Sequence, residues 1–368
     1  MTVSEPTSTS MHPATVRVAL LTPHGKGALA VVGVAGRDAL AVVSRLFSPR
    51  GRAALDQRPD GAVVFGRWGD PERGEEVVVV RHSAERLEVH CHGGLAASAA
   101  VIASLEGLGA VRQPWPEWLA AAGESTIQVE AREALTRAGG PKAARILCRQ
   151  LAGALDSELS RIAALDAAGD VAAATAARER LRRAARVGLR LARPWRVVVA
   201  GEVNAGKSTL VNALAGHARS IVSAEPGTTR DVLETRVALD GWEINLVDTA
   251  GLRDEPAGPT EAAGIERARA AAATADLVLL CRTGFSLSEK SDRLKPVLRD
   301  ALLVLTKCDL APADIGPPDA IHTSALTGFG LDELAAAIVR RLVPEERDDP
   351  TLLAGAVPFT ARHVELLA

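Results

Sequence analysis

The spacing of apolar positions changes along this chain, and each change predicts a different kind of element. Over residues 15–35 apolar residues alternate with polar ones (Val16, Val18, Leu20), break at Thr22-Pro23-His24-Gly25-Lys26-Gly27, and resume over 28–34. That pattern predicts two strands joined by a glycine turn. At 37–47 the period lengthens through Leu40, Val43 and Leu46 and predicts a helix. Strands are expected at 61–68, 75–81 and 87–91, then a helix over 95–108 begun by Gly93-Gly94. Strands and helices alternate too irregularly for a series of βαβ units, so residues 15–113 are expected to form an α+β domain. From 124 to 193 the period is helical throughout, with Ile146, Leu151, Leu155, Leu159, Ile162 and Leu165 on one face. Helices are expected at 125–137, 141–167 and 171–191, with breaks at Gly139-Gly140 and Gly169.

After Pro194-Trp195 the pattern changes again, to short apolar runs separated by polar, glycine-containing loops. Strands are expected at 196–200, 232–239, 243–247, 277–281, 302–305 and 320–323, with helices at 208–215 and 331–342. Runs that are apolar without alternation fit a mostly parallel sheet covered on both faces. The chain thus reads as multidomain: a disordered tail (1–14), an α+β N-terminal domain (15–113), an α-helical region (114–193), an α/β domain (194–344) and a short C-terminal tail (345–368) expected to be the start of a truncated helical return.

Composition alters this picture little. A net charge of −2 gives no overall basic field. The arginines at 178, 180, 182, 183 and 186 are read as a solvated helix face, with an RNA contact as the other reading. Cys91, Cys148, Cys281 and Cys308 form no C-x-x-C pair, which fits reduced thiols and a cytoplasmic location. The tail at 1–14 is Ser/Thr/Pro-rich without the basic and apolar regions of a signal peptide, and no uncharged apolar run reaches membrane-spanning length. His90 and His92 flank Cys91 and share one strand face; with no third ligand nearby they read as a structural pair rather than a metal site.

The chemistry lies in the α/β domain. Gly201-Glu202-Val203-Asn204-Ala205-Gly206-Lys207-Ser208 is a G-x-x-x-x-G-K-[ST] loop between a predicted strand and a predicted helix, the context that makes this pattern a phosphate cradle. Gly201, Asn204, Ala205, Gly206 and Thr209 bring backbone to the phosphates, Lys207 adds positive charge, and Ser208 offers a hydroxyl to Mg²⁺. Downstream, Thr228 and Thr229 lie in a polar loop, with Thr229 chosen as a second Mg²⁺ ligand. Asp248-Thr249-Ala250-Gly251 follows, where the carboxylate can hold a Mg²⁺-bound water and the Gly251 N–H can bond a γ-phosphate. Thr306-Lys307-Cys308-Asp309 has the [NT]-K-x-D form, in which Asp309 accepts hydrogen bonds from guanine N1 and N2 and so selects GTP or GDP. Thr306 stands where Asn is commoner, and its shorter side chain is expected to loosen that loop. Ser324 and Ala325 stand where a backbone N–H meets guanine O6.

These motifs, with Ile221-Val222-Ser223-Ala224-Glu225-Pro226-Gly227-Thr228-Thr229-Arg230-Asp231, Gly264-Ile265-Glu266-Arg267-Ala268, and the N-terminal stretches 22–32 and 87–94, resemble the tRNA-modification GTPases of the MnmE (TrmE) family. The similarity covers most of the chain and is strongest in the α/β domain. It implies a GTPase activated by K⁺, bound by Asn204 and by main-chain carbonyls near Ser223 and Glu225. This matters because Leu252, after the D-T-A-G motif, cannot orient water. The resemblance also implies that Glu261 helps place the attacking water, and counts Lys207, Gly251 and Asn204 with it as catalytic. It further implies an N-terminal homodimer, GTP-driven pairing of the α/β domains, a flavoprotein partner (MnmG) and tRNA wobble uridine as substrate, with no membrane. A second reading keeps the GTP cycle but serves RNA or ribosome maturation without modification chemistry. The family's Cys-x-Gly-Lys tail has no counterpart before Leu366-Leu367-Ala368. Gly33 replaces an arginine of its folate pocket, Ser83-Ala84-Glu85 replaces Gly-Glu-Asp, and folate binding is expected to be weak or absent.

Overall fold

The computed structural model describes residues 16–22, 27–201, 204–217, 234–248, 273–283, 301–310 and 317–368. The chain forms two compact units, one through Val129 and the other Glu130–Ala368.

In the first unit, β1 (Arg17–Leu20), β2 (Leu29–Ala35), β3 (Phe47–Pro49), β4 (Ala62–Trp68), β5 (Glu75–Arg81), β6 (Arg86–His92) and β7 (Val111–Arg112) form one sheet in the order β3-β4-β5-β6-β2-β1-β7. Its pairs are antiparallel except β1 with β7. Helices α1 (Ala39–Leu46) and α2 (Leu95–Glu106) cover the face carrying Val18, Val32, Val34, Val79, Leu87 and Val89. Because side chains alternate, Ala19 and Ala35 face the other way and pack with Trp118 and Leu119 of α3 (Trp115–Ala121). Trp118 is fully buried over Gly33: a Cβ there would lie 2.7 Å from its Cζ2. Among the described residues, Val63 and Phe65 of β4 on this face are exposed. His90 bonds Glu88 and His92 bonds Glu75, and among the described residues no cluster suited to a metal occurs.

Helix α4 (Thr126–Leu135) leads into the second unit, where α5 (Pro141–Leu151), α6 (Ala154–Ala167) and α7 (Val171–Gly188) follow. The single helix expected over 141–167 is two helices. Gly153 takes a left-handed φ of 91°, and Gln150, fully buried, bonds both Ile146 O in its own helix and the distant backbone of Gly355 and Val357. Helix α7 ends at Gly188, where the Pro358 carbonyl oxygen approaches so closely that a Cβ would lie 1.8 Å from it, so only glycine fits.

The second sheet comprises β8 (Trp195–Gly201), β9 (Glu234–Leu239), β10 (Trp242–Asp248), β11 (Leu277–Thr283), β12 (Leu302–Thr306) and β13 (Ile321–His322), ordered β13-β12-β11-β8-β10-β9. It is parallel apart from the edge strand β9. Helices α8 (Lys207–His217) and α9 (Leu331–Leu342) pack on it.

Residues 345–368 do not trail off. They form α10 (Glu345–Asp348), a 3-10 turn (Leu352–Ala354) and α11 (Ala361–Glu365), laid along α5 and α7. The side-chain amide of Gln150 donates to Gly355 O, and its oxygen accepts from Val357 N. Arg180 and Arg183 pair with Asp349, Arg186 with Glu345, and Arg182 with the carbonyl of Leu367. The arginine run is a solvated face, with Arg180, Arg182, Arg183 and Arg186 keeping 42–71% of their side chains exposed, and it also pairs with the C-terminal segment. Most of it holds the C-terminal segment. Among the described residues no helix is long and apolar enough to cross a membrane.

Candidate functional site

Strand β8 is buried from Val197 to Ala200, which places it inside the sheet and brings its C-terminal end against β11. There a Cβ on Gly201 would lie 2.1 Å from the carbonyl oxygen of Cys281, and φ is 143°. Only glycine meets both conditions. Asn204 (φ 63°) and Gly206 (φ 78°) turn the chain into α8, which begins at Lys207. Lys207 is 8% exposed and its Nζ donates to Gly201 O at 3.1 Å, so the ammonium lies folded across the loop. Next to it the Ser208 hydroxyl donates to Asp248 Oδ2 at the end of β10. Asp248 is buried, and the register Asp248↔Val199 aligns it with the end of β8. A hydroxyl and a carboxylate, both hard oxygen donors, fit Mg²⁺.

The base-recognition side is tied to the same loop. Thr306, at the end of β12, is 4% exposed, and its Oγ1 donates to Ala205 O at 2.6 Å; Arg282 O lies 3.0 Å away. The expectation that threonine loosens this loop is thus corrected: the short side chain reaches the phosphate loop directly. Lys307 takes φ 58°, and its Nζ donates to Asn204 O at 2.9 Å. The exposed Asp309 accepts from Ser324 Oγ at 2.6 Å, and the Ser324 turn is closed by Ser324 N donating to Phe329 O. The Ser324 hydroxyl is a role that sequence spacing did not suggest, since only backbone near Ser324 and Ala325 was expected to matter. Burial pushes the Cys281 thiol up to about 12, against the opposing pull of Lys207, so it stays protonated beside the phosphate loop.

The structure brings together Gly201, Asn204, Ala205, Gly206, Lys207, Ser208, Asp248 and Thr306, and separately joins Asp309 to Ser324. Thr209 is exposed one turn into α8, and Ala325 follows Ser324. Ser223, Glu225, Thr228, Thr229, Gly251, Leu252 and Glu261 lie outside the described residues.

Comparison with known proteins agrees with this geometry. A family model described as 50S ribosome-binding GTPase matches residues 196–307. The tRNA modification GTPase MnmE of Moorella thermoacetica is 31% identical over 87% of this chain and 80% of its own. That of Thermus thermophilus is 33% identical over 95% and 86%, and that of Methylobacterium radiotolerans 36% over 85% and 79%. These alignments cannot be confined to the α/β domain, because they take in most of both chains: the protein is a GTPase and belongs to the MnmE family of tRNA modification GTPases.

Proposed function

We propose that this chain hydrolyses GTP in a cycle that drives modification of tRNA wobble uridine, as a homodimer working with a flavoprotein of the MnmG kind. The observation that carries the reading is the meeting of Lys207, the Ser208–Asp248 pair and Thr306 around one loop, with Asp309 held by Ser324. When GTP enters, the Lys207 ammonium exchanges Gly201 O for the β- and γ-phosphates, while loop N–H groups take the phosphate oxygens. Ser208 would ligate Mg²⁺ and Asp248 would hold one of its waters, and the ion would supply charge neutralisation at the phosphates. Asp309, oriented by the Ser324 hydroxyl, accepts from guanine N1 and N2, and Ala325 N–H faces O6. Adenine lacks the paired N–H donors that guanine N1 and N2 offer this carboxylate.

Catalysis needs charge compensation that Leu252 cannot give, and the reading assigns it to K⁺ held by Asn204 with the carbonyls near Ser223 and Glu225. Glu261 would place the attacking water, Gly251 would bond the γ-phosphate, and Thr229, next to Thr228 in sequence, would supply a further ligand to Mg²⁺. Compensation of this class raises rates by roughly 10³ or more. Hydrolysis is therefore expected to be much faster in K⁺ than in Na⁺, and Asn204→Ala to abolish the difference; equal rates in the two salts for the unaltered protein refute the K⁺ role. The exposed apolar pair Val63 (69%) and Phe65 (40%) on β4 supports the dimer. A monomer by light scattering at micromolar concentration counts against it.

Trp118 favours a second reading, a GTP switch in RNA or ribosome maturation without modification chemistry. It fills the space over Gly33, where the family's folate-pocket arginine would stand. Analysis of tRNA nucleosides from a deletion strain decides between them: loss of the modified wobble uridine supports the first, an unchanged profile the second.

A further inference from the structure

The outer two strands of the second sheet form a ribbon whose two ends have different neighbours. At one end β10 delivers Asp248 to Ser208. At the other, Asp240 (φ 46°) and Gly241 (φ 78°) form a two-residue Asp-Gly turn of the type that matches strand twist. The ribbon overhangs its support there. Pairing of β10 with β8 begins at Ile244↔Trp195, whereas its pairing with β9 continues to Trp242↔Leu239.

The helical region holds this overhang. The Lys142 N–H, one of the unpaired donors in the first turn of α5, donates to Gly241 O, so the turn caps the helix. Gly140 permits the approach, since a Cβ there would lie 2.5 Å from Gly241 O. The Lys142 side chain then reaches across the turn, its Nζ 2.8 Å from both Asp240 Oδ2 and Glu346 Oε1. Glu346 in turn accepts from Trp242 Nε1 at 3.0 Å. Burial disfavours the Lys142 charge, but hydrogen bonds from its Nζ to Asp240 and Glu346 outweigh it and hold the pKa above the ordinary lysine value.

We propose that Lys142 is a positioning residue for GTP turnover: it clamps the overhanging turn of the β9–β10 ribbon to α5 and α10, and so fixes how β10 presents Asp248 to Ser208 and Mg²⁺. A strand of this length spans roughly 20 Å. Released at the turn, the ribbon can twist about its pairing with β8, and the twist moves the carboxylate at its far end. The inference rests on the reading of Asp248 as the holder of a Mg²⁺-bound water.

The test measures GTP hydrolysis by the full chain in K⁺ while Mg²⁺ is titrated, for Lys142→Met, Lys142→Arg and Asp248→Asn, with a melting curve for each. Lys142→Met is expected to raise the Mg²⁺ concentration for half-maximal rate by about 3- to 10-fold, with KM for GTP at saturating Mg²⁺ within about twofold. Lys142→Arg, which keeps the charge and both partners in reach, restores the midpoint. A lower melting temperature for Lys142→Met with an unmoved Mg²⁺ midpoint means a structural role only and overturns the proposal. Asp248→Asn separates the two levels. If it shifts the midpoint and Lys142→Met does not, the positioning role alone falls; if it leaves the midpoint unmoved, the Mg²⁺ reading falls and the positioning role with it.

Discussion

Replacing Thr306 by valine tests whether the phosphate and base loops act as one unit. Valine keeps the shape, so it leaves no cavity and removes only the hydroxyl. That hydroxyl has one proton, and the 2.6 Å contact to Ala205 O takes it in preference to the 3.0 Å contact to Arg282 O. The variant therefore leaves one buried carbonyl of the phosphate loop without its donor, at a cost of about 1–3 kcal/mol. With the link gone, the free loop samples conformations in which its N–H groups do not converge, and nucleotide must restore the arrangement on binding. At about 1.4 kcal/mol per tenfold, GDP affinity is expected to fall roughly 5- to 150-fold. A fluorescent GDP analogue measures it by titration, beside a melting curve in the same buffer. Thr306→Ser, which keeps the hydroxyl, should stay within about threefold of the unaltered protein. Affinity within twofold for Thr306→Val, with melting unchanged, would refute the coupling.

Other outcomes can be checked separately. Asp309→Asn should transfer preference from guanine to xanthine nucleotides, and a competition assay that still finds the original preference for GTP removes Asp309 from base recognition. Gly33→Arg must displace a buried tryptophan whose Nε1 donates to Arg17 O, and should cost about 1–3 kcal/mol by overpacking; an unaltered melting temperature would contradict the packing. Acid should loosen the C-terminal segment. His363 is fully buried, and burial holds its pKa below 6.5, against the pull of Glu130. Glu130 lies below 4.5 because bonds and charge from Arg362 and His363 outweigh burial. Both depressed values act with the same sign: the unfolded segment binds protons first, so stability present above pH 6.5 is lost as pH falls, through His363 and then through Glu130. Hydrogen exchange over residues 355–368 should quicken between pH 7 and pH 4, and pH-independent protection, after correction for intrinsic rates, would exclude the pair as the cause.

The parts of the fold that were legible from the sequence are those whose cause is local. Val197 to Ala200 followed by a glycine loop and Lys-Ser reads as strand, cradle and helix because burial on both faces and the phosphate turn each leave residue-by-residue marks. Asp248 and Asp309 were found the same way, each at the end of an apolar run. What escaped depends on partners far along the chain. Gly153 looks like other glycines until Gln150 is seen bonding Gly355. The Thr306 hydroxyl gains its role from Ala205, 101 residues away. Lys142 carries no motif, and its importance comes from a turn 98 residues downstream. The arginine run is as exposed as its solvated-face reading expects, but its pairing with the C-terminal segment is marked by no local pattern.

The returning C-terminal segment also sets the order in which the protein can be made. Gln150 and Gly355 are 205 residues apart, and Glu130 and Arg362 are 232 apart, with the whole α/β domain synthesised between them. At roughly 5–20 residues per second, helices α5 to α7 wait about 10–40 s after emerging from the ribosome before their last neighbours exist. Through that interval the face of α5 with Gln150 and the bare backbone at Gly188 have no cover, while the α/β domain can already fold. The helical region leaves the ribosome before the α/β domain and is completed after it.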